Sequence, residues 1–439
     1  MLDKINSFVW GNGLLFLILG TGLFFSLRLK FFQIFRFGEI LRKTFFSLFR
    51  KTSDKCDKNR ISPLQAVSTA LSATMGTGNI IGVASAIIIG GAGSVFWLWI
   101  SAFLGMMTVY AENYLGTLYR YRNDSGQWIG GTIACIEKGL KCSPLAIVFS
   151  IFCILASLGM GNMAQVSSIS DSFYSAFSVK PIFTGIITSV LIFSVIIGGI
   201  KRLGKVTQLI IPVLSAVYIL SSIIIIFINF RNIPSAFSEI LTGAFGLKAI
   251  GGGISGDLIR KAINIGLRRG VFSNEAGLGS SGMLHSASSV ESPHVQGMWG
   301  IFEVFADTIV CCTLTALVIL TNDNISNTLQ NPSAVIIESF SPLFKDFSGL
   351  FISAAIALFA FATLLGWSYC GECAVRYCTG EKGVIFYRII FSLIIIPGSV
   401  IKSADVWTLS DIFNGLMAFP NLTVILLLSA RISLPDKDF

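Results

Sequence analysis

Two short strings decide the fold: Met75-Gly76-Thr77-Gly78-Asn79 and Phe272-Ser273-Asn274-Glu275-Ala276-Gly277-Leu278-Gly279-Ser280. Each lies inside an apolar run long enough to cross a bilayer, residues 63–90 and 257–288, and each sets glycine and polar residues near its middle. Backbone that leaves the helix at membrane depth is tolerated only where it is buried in protein or lines a cavity. Four further apolar runs follow each string, and they recur at the offset that separates Gly78 from Gly277. The chain therefore reads as one leading helix and two halves of five. Five is odd, so the second half enters from the opposite side and the halves are inverted. Broken helices at corresponding positions of inverted repeats point to a binding site at the membrane midplane.

Composition supports this reading. Of 439 residues 53% are hydrophobic and 13% charged, and the mean hydropathy is +0.77. Eleven spans of roughly 20 residues would use about half of such a chain. The runs lie at 8–27, 63–90, 94–119, 145–170, 182–200, 207–230, 257–288, 297–321, 347–377, 383–400 and 406–430. We expect an all-α polytopic membrane protein of eleven transmembrane helices. Its expected divisions are 1–60 (leading helix and basic loop), 61–230 and 231–430 (the two repeats) and a tail at 431–439. The net charge of +9 sits in the loops. Ten Lys or Arg lie between Arg28 and Arg60, and with the N-terminus outside, 22 of the 32 basic residues fall on the cytoplasmic side. This places the chain in a cell (inner) membrane with its C-terminus cytoplasmic and the 28–60 loop along anionic lipid. The same distribution argues against nucleic acid as a partner. The first run lacks a basic leader and a small-residue cleavage site, so it reads as a retained helix. Cys370 and Cys373 form a lone CxxC within an apolar run, and packing suits them better than metal or redox chemistry.

A helix broken at Gly76 and Gly78 frees N–H groups at the start of its second half and C=O groups at the end of its first. Those ends carry opposite partial charges, so one break accommodates both the carboxylate and the ammonium of a zwitterion, with a nearby Na⁺ on the carbonyls. Close helix packing alone would explain the glycines but not Asn79, Ser273, Asn274 and Glu275 beside them. Gly277-x-Gly279-x-x-Gly282 formally fits a dinucleotide fingerprint but has no βαβ context. Glu275 either binds a cation or proton, or satisfies the freed backbone and pairs with Arg268 or Arg269. Glu303 and Asp307, one turn apart, either serve an ion path or form a polar seam with Lys or Arg. His285 and His294 read as hydrogen-bonded structural residues. Gln165 offers a neutral amide to a substrate. Thr363 has an oxygen for Na⁺, and Trp367 either walls a small pocket or packs between helices.

At these residues the chain resembles the alanine/glycine:cation symporter (sodium:alanine symporter) family, of the LeuT-type transporters. The resemblance rests on Gly76–Ala84, Phe96–Trp99, Gly270–Ser280, Glu303–Val310 and Leu365–Trp367, and runs from about residue 8 to 430. It implies Na⁺-driven uptake of a small neutral amino acid, alanine or glycine, by alternating access and without covalent chemistry. Carried over by position, it implies a substrate site of Thr77, Gly78, Asn79, Gln165, Phe272, Asn274 and Trp367. It implies a sodium site of backbone oxygens near Ser72 and Met75 with the helix of Phe359 and Thr363. The chain departs from the family pattern at Ala362-Thr363, where two hydroxyl residues are usual, at Ser281-Gly282 in place of Ala-Pro, at Val109 in place of lysine, and at Thr132 in place of proline in a Gly-Gly-Pro loop. Three rivals remain: a proton-coupled or glutamine-type carrier on the same scaffold, an intramembrane enzyme, which would need a nucleophile with its base or a metal cluster, and a channel, which would not need two broken helices. Oligomeric state is not legible.

Overall fold

Glycine and proline punctuate the apolar runs, and the helices begin and end there. The structure is a computed structural model; it describes residues 2–49, 63–123, 128–246, 255–288, 290, 292–322 and 331–435. Residues 50–62, with half of the basic loop's cations, and Lys437 in the tail lie outside the described residues. In chain order the principal helices are α1 Leu2–Val9, α2 Asn12–Arg28, α3 Pro63–Thr74, α4 Ile81–Gly90, α5 Ser94–Leu118, α6 Ser143–Leu158, α7 Ala164–Phe177, α8 Pro181–Ile196 and α9 Gly199–Ile228. The second half of the chain adds α10 Ser255–Asn274, α11 Ser280–Ser286, α12 Pro293–Val304, α13 Thr313–Leu320, α14 Ser348–Thr379, α15 Glu381–Val400 and α16 Ser403–Leu427.

Every expected apolar run coincides with helix. Among the described residues seven continuous helices have the length and apolarity to cross a bilayer, and the bent pair α3 and α4 makes an eighth. Helices α2 and α8 are apolar but shorter. The molecule is a helical membrane protein. Helix α8 starts with Pro181 in its first turn, where a missing N–H costs nothing. Helix α2 ends where Lys30 and Phe31 turn left-handed, at φ 53° and 50°.

Several features go beyond the hydropathy pattern. Short helices occupy Phe37–Lys43, Ile233–Phe245 and Pro332–Ser339 in the connections. A two-stranded antiparallel ribbon, β1 Tyr121–Arg122 and β2 Trp128–Ile129, pairs Tyr121 with Ile129 and Arg122 with Trp128, so the chain is not wholly α. Two long helices carry π-helical turns, Gly159–Met163 between α6 and α7 and Phe305–Cys312 between α12 and α13. Each π-turn adds a residue to the turn and re-aims the helix beyond it. Gln165 and Asp307 stand in or just beyond them.

Helix α5 packs along α10, α11 and α12, while α14 packs against α3, α6 and α7. The breaks between α3 and α4 and between α10 and α11 are thus enclosed by protein on both sides. That enclosure meets the condition for non-helical backbone at this depth.

Candidate functional site

The first break is built without unusual backbone angles. Helix α3 stops at Thr74, a single 3-10 turn covers Thr77–Asn79, and α4 starts at Ile81 with a bend of 51°. Two of its amides meet side chains. Gly76 N–H donates to Asn79 Oδ1 at 3.0 Å. Thr77 Oγ1 donates to Gln165 Oε1 at 2.9 Å, and Thr77 N–H reaches the same oxygen at 3.4 Å. Gln165 Nε2 in turn donates to the Met160 carbonyl in the π-turn at 3.1 Å. Gly78 has no side chain for a reason of space: a Cβ there would come 3.2 Å from Ser273 Cα and 3.3 Å from Phe272 Cδ1.

The second break uses left-handed backbone. Glu275, Gly277 and Gly279 have φ of 56°, 96° and 83°, angles that glycine adopts freely and glutamate does not. Side chains hold it there. Asn274 Oδ1 accepts from Ala276 N–H at 3.0 Å. Glu275 accepts from Ser280 Oγ at 2.5 Å and from Trp367 Nε1 at 2.6 Å. Glu112, on α5, accepts from Gly277 N–H at 2.9 Å and from Asn421 Nδ2 at 2.6 Å. The same Asn421 amide donates to the Gly277 carbonyl at 2.9 Å, and its oxygen accepts from Thr132 Oγ1 at 2.6 Å.

Asp307 joins the two breaks. Its carboxylate accepts from Asn79 Nδ2 at 2.6 Å on one oxygen, and from Ser273 Oγ at 2.7 Å and Thr308 Oγ1 at 2.8 Å on the other. Nearby, Thr363 Oγ1 lies 2.9 Å from the Ser72 carbonyl and 3.1 Å from the Phe359 carbonyl, directly against Gly76. These are hard oxygen donors of the kind an alkali cation takes. Met75 continues the chain from α3 into this corner, and its sulfur accepts a long bond from Ser215 Oγ at 3.7 Å.

All the residues singled out as site candidates are buried. Direct contacts join Thr77 to Gln165 and bring Phe272 against Gly78. Asn274 instead faces Gly105 on α5. Trp367 is held by Glu275 and has its ring against Gly161.

Three expected partnerships are corrected. Glu275 does not pair with Arg268 or Arg269; both arginines face Asp411, at 2.8 and 3.7 Å. Glu303 meets His285 Nε2 at 2.6 Å and Ser281 Oγ at 3.1 Å, and the partners of Asp307 are neutral, so neither acid makes a seam with Lys or Arg. His285 is buried between Glu303 and Gln296, whereas His294 meets the Tyr110 hydroxyl at 3.2 Å. Sequence reasoning missed Glu112 and Asn421. Glu112 is the single charged residue of the 94–119 run and that signal would have marked it; Asn421, one of several polar residues in its run, carries no such signal.

Above the breaks, Phe272 stacks on Trp407 at 4.6 Å, and the Arg269 guanidinium lies 4.6 Å from the Trp407 ring. A cleft of about 370 Å³ lies beyond them, with Asn6, Asp171, Arg268, Arg269, Trp407 and Asp411 among its walls.

Comparison with known proteins identifies the family and the fold. The model of the sodium:alanine symporter family matches residues 1–439. The chain is 40% identical over 450 residues to the sodium/alanine symporter AgcS of Methanococcus maripaludis, covering 100% of this chain and 96% of that protein. It is 34% identical over 435 residues to the probable sodium/glutamine symporter GlnT of Bacillus subtilis, covering 99% and 89%. Among solved structures, MhsT in complex with L-phenylalanine superposes with a TM-score of 0.60 at 13% identity, over 83% of this chain and 89% of that one. A Na⁺-coupled sialic acid symporter superposes with a TM-score of 0.53 at 15% identity, over 96% and 86%. At such identities the likeness concerns the fold, which is that of the LeuT-type transporters.

Proposed function

This chain belongs to the sodium:alanine symporter family, and from that premise we propose that it is a Na⁺-coupled symporter importing small neutral amino acids, alanine and glycine, by alternating access. The observation that carries the reading is the meeting of the two breaks: Gly78 pressed against Phe272 and Ser273, with the uncharged Gln165 alongside. In this reading the amino-acid carboxylate takes the N–H groups that begin the second half of the first break, Thr77 to Asn79. The ammonium takes carbonyl oxygens, and Na⁺ takes oxygens of Ser72, Met75, Phe359 and Thr363. Phe272, Asn274, Gln165 and Trp367 surround the small side chain. No bond is made or broken; the work comes from Na⁺ moving down its gradient, coupled to the amino acid because both bind and release with the same conformational change.

An inverted repeat of five and five helices after one leading span supports alternating access. Corresponding helices start at residues 94 and 293, 143 and 348, 181 and 381, and 199 and 403. Two of these pairs, α5 with α12 and α8 with α15, also pack on each other, as halves related by a pseudo-two-fold axis would. The charge distribution assigns the N-terminus to the outside of the cell membrane and the C-terminus to the cytoplasm.

Purified protein in liposomes provides the test. Labelled alanine is expected to accumulate under an inward Na⁺ gradient and not when K⁺ replaces Na⁺ at fixed pH. Equal accumulation in both conditions, or a pH gradient sufficing alone, would overturn Na⁺ coupling. The similarity to a probable sodium/glutamine symporter makes glutamine the competitor to add first; glutamine outcompeting alanine would move the substrate assignment.

A further inference from the structure

The residues that close the cleft are gripped from outside the two repeats. Arg268 Nη2 gives two bonds of 2.8 Å, one to Asp411 Oδ2 and one to Asn6 Oδ1. The Asp411 carbonyl accepts from Trp10 Nε1 at 2.7 Å, and the Trp10 ring lies 5.4 Å from the Arg268 guanidinium. Helix α1 packs on α16, and it approaches so closely at Gly415 that a Cβ there would overlap Val9 and come 3.2 Å from Trp10 Nε1. One segment, Leu2–Trp10, thus holds both members of the Arg268–Asp411 pair. It takes the arginine through a side-chain amide and the aspartate's helix through an indole.

Beneath that pair lies the way in. Arg269 spans from Asp411 to the Trp407–Phe272 stack, and Phe272 touches Gly78. Opening a path from the cleft to the first break therefore requires α10 and α16 to part at Arg268, Arg269 and Asp411. Two inverted halves by themselves would present equivalent barriers on the two sides of the membrane. Leu2–Trp10 belongs to neither half, and among the described residues its packing partner is α16, on this barrier's side. Asn6 is 9% exposed, and burying its amide is costly unless it is bonded; Arg268 supplies the bond.

We propose that Leu2–Trp10 is a built-in latch of the outer gate, with Asn6 and Trp10 acting as positioning residues that keep Arg268 on Asp411 and so set how often the cleft opens to substrate. The assignment rests on the symporter reading. Its ligand is internal: a carboxamide and an indole N–H that compete with water for the gate pair.

The test reads gate opening directly. Ser273 lies beyond the Trp407–Phe272 layer, beside Gly78, and is 1% exposed, so an S273C reporter in vesicles is labelled by a membrane-impermeant thiol reagent at a rate that follows opening, measured above the rate of the parent chain. Asn6→Ala is expected to raise that rate about fivefold by removing one bond to Arg268. Asn6→Asp is expected to lower it about fivefold, because a carboxylate binds the guanidinium more strongly than an amide does. Trp10→Phe, which keeps the ring and loses only the N–H, is expected to raise it about threefold. A purely structural role would move Asn6→Ala and Asn6→Asp in the same direction. That result, or changes under twofold in all three variants, would overturn the latch. Alanine uptake by the chain with Ser273 intact is measured in parallel: opposite shifts from the two Asn6 variants without any Na⁺-driven uptake would leave the latch standing and sink the symporter reading instead.

Discussion

The two breaks interrupt their helices by different means. The first keeps ordinary backbone angles and is shaped by neutral partners, Gln165 and Asn79, with glycine at position 78 where Phe272 and Ser273 approach so closely that a Cβ would press on them at 3.2–3.3 Å. The second turns left-handed at three positions and is clamped by Glu112, Glu275, Trp367 and Asn421. Glycine at position 78 is a matter of space, whereas in the second break conformation adds to space: Gly277 and Gly279 are left-handed, and a Cβ at Gly279 would also lie 2.2 Å from Thr132 Oγ1. The difference teaches that a symmetric pair of motifs in sequence has divided its labour. The first break meets neutral amide side chains, as the proposed zwitterion site requires, whereas the second spends its polar groups, two carboxylates among them, on holding its left-handed turn.

The comparison breaks or sharpens under substitution. The largest effect is predicted for Gly78→Val, which fills the space against Phe272 and Ser273. Alanine affinity should fall by about 100-fold or more, while the unfolding midpoint in detergent stays within a few degrees. Wild-type affinity in calorimetric titration would remove the first break from the substrate site. Gly277→Ala should do the reverse. A side chain at φ 96° is expected to cost about 1–3 kcal/mol of stability, read as an earlier thermal midpoint, with alanine affinity in the surviving folded protein within about threefold of wild type. If binding falls and stability does not, the division of labour is wrong.

A smaller effect is expected at the corner between α3 and α14. Thr363→Val removes the hydroxyl that lies on the Ser72 carbonyl, and the Na⁺ concentration for half-maximal uptake should rise about tenfold. Thr363→Ser should restore it, and an unchanged Na⁺ dependence in the valine variant would take Thr363 out of the cation site. The smallest effect belongs to Ser273→Ala, which deletes one of the bonds to Asp307. A change of about 0.5–1.5 kcal/mol is expected, seen as a modest loss of alanine affinity; none at all would mean that Asp307 is oriented by Asn79 and Thr308 alone.

Much of the architecture was legible before any coordinates, because membrane helices announce themselves through hydrophobic length and breaks through glycine next to polar residues. The expected runs became helices, and the strings at 75–79 and 272–280 became the breaks. The connections were less legible. The helix at Ile233–Phe245 is amphipathic but too short to span, so a reading by spanning runs passes over it, and the strands Tyr121–Arg122 and Trp128–Ile129 are too short to show any alternation. The π-turns were invisible because they differ from α-helix by one residue per turn and have no fixed composition.

By itself the sequence determined the membrane class, the positions where helices break, and the family, since each depends on residues close together in the chain or on strings matched as strings. Only the tertiary structure decided which groups the buried acids face. Glu275 met Trp367 and Ser280 rather than an arginine, Asp307 met Asn79 and Ser273, and Glu112 became the clamp of a break 165 residues further along the chain. A carboxylate in a low-dielectric interior must find donors, and several are available along the chain. Which one it gets is set by helix crossings and π-turns that bring together residues far apart in sequence, such as Glu112 and Asn421 or Asn6 and Arg268.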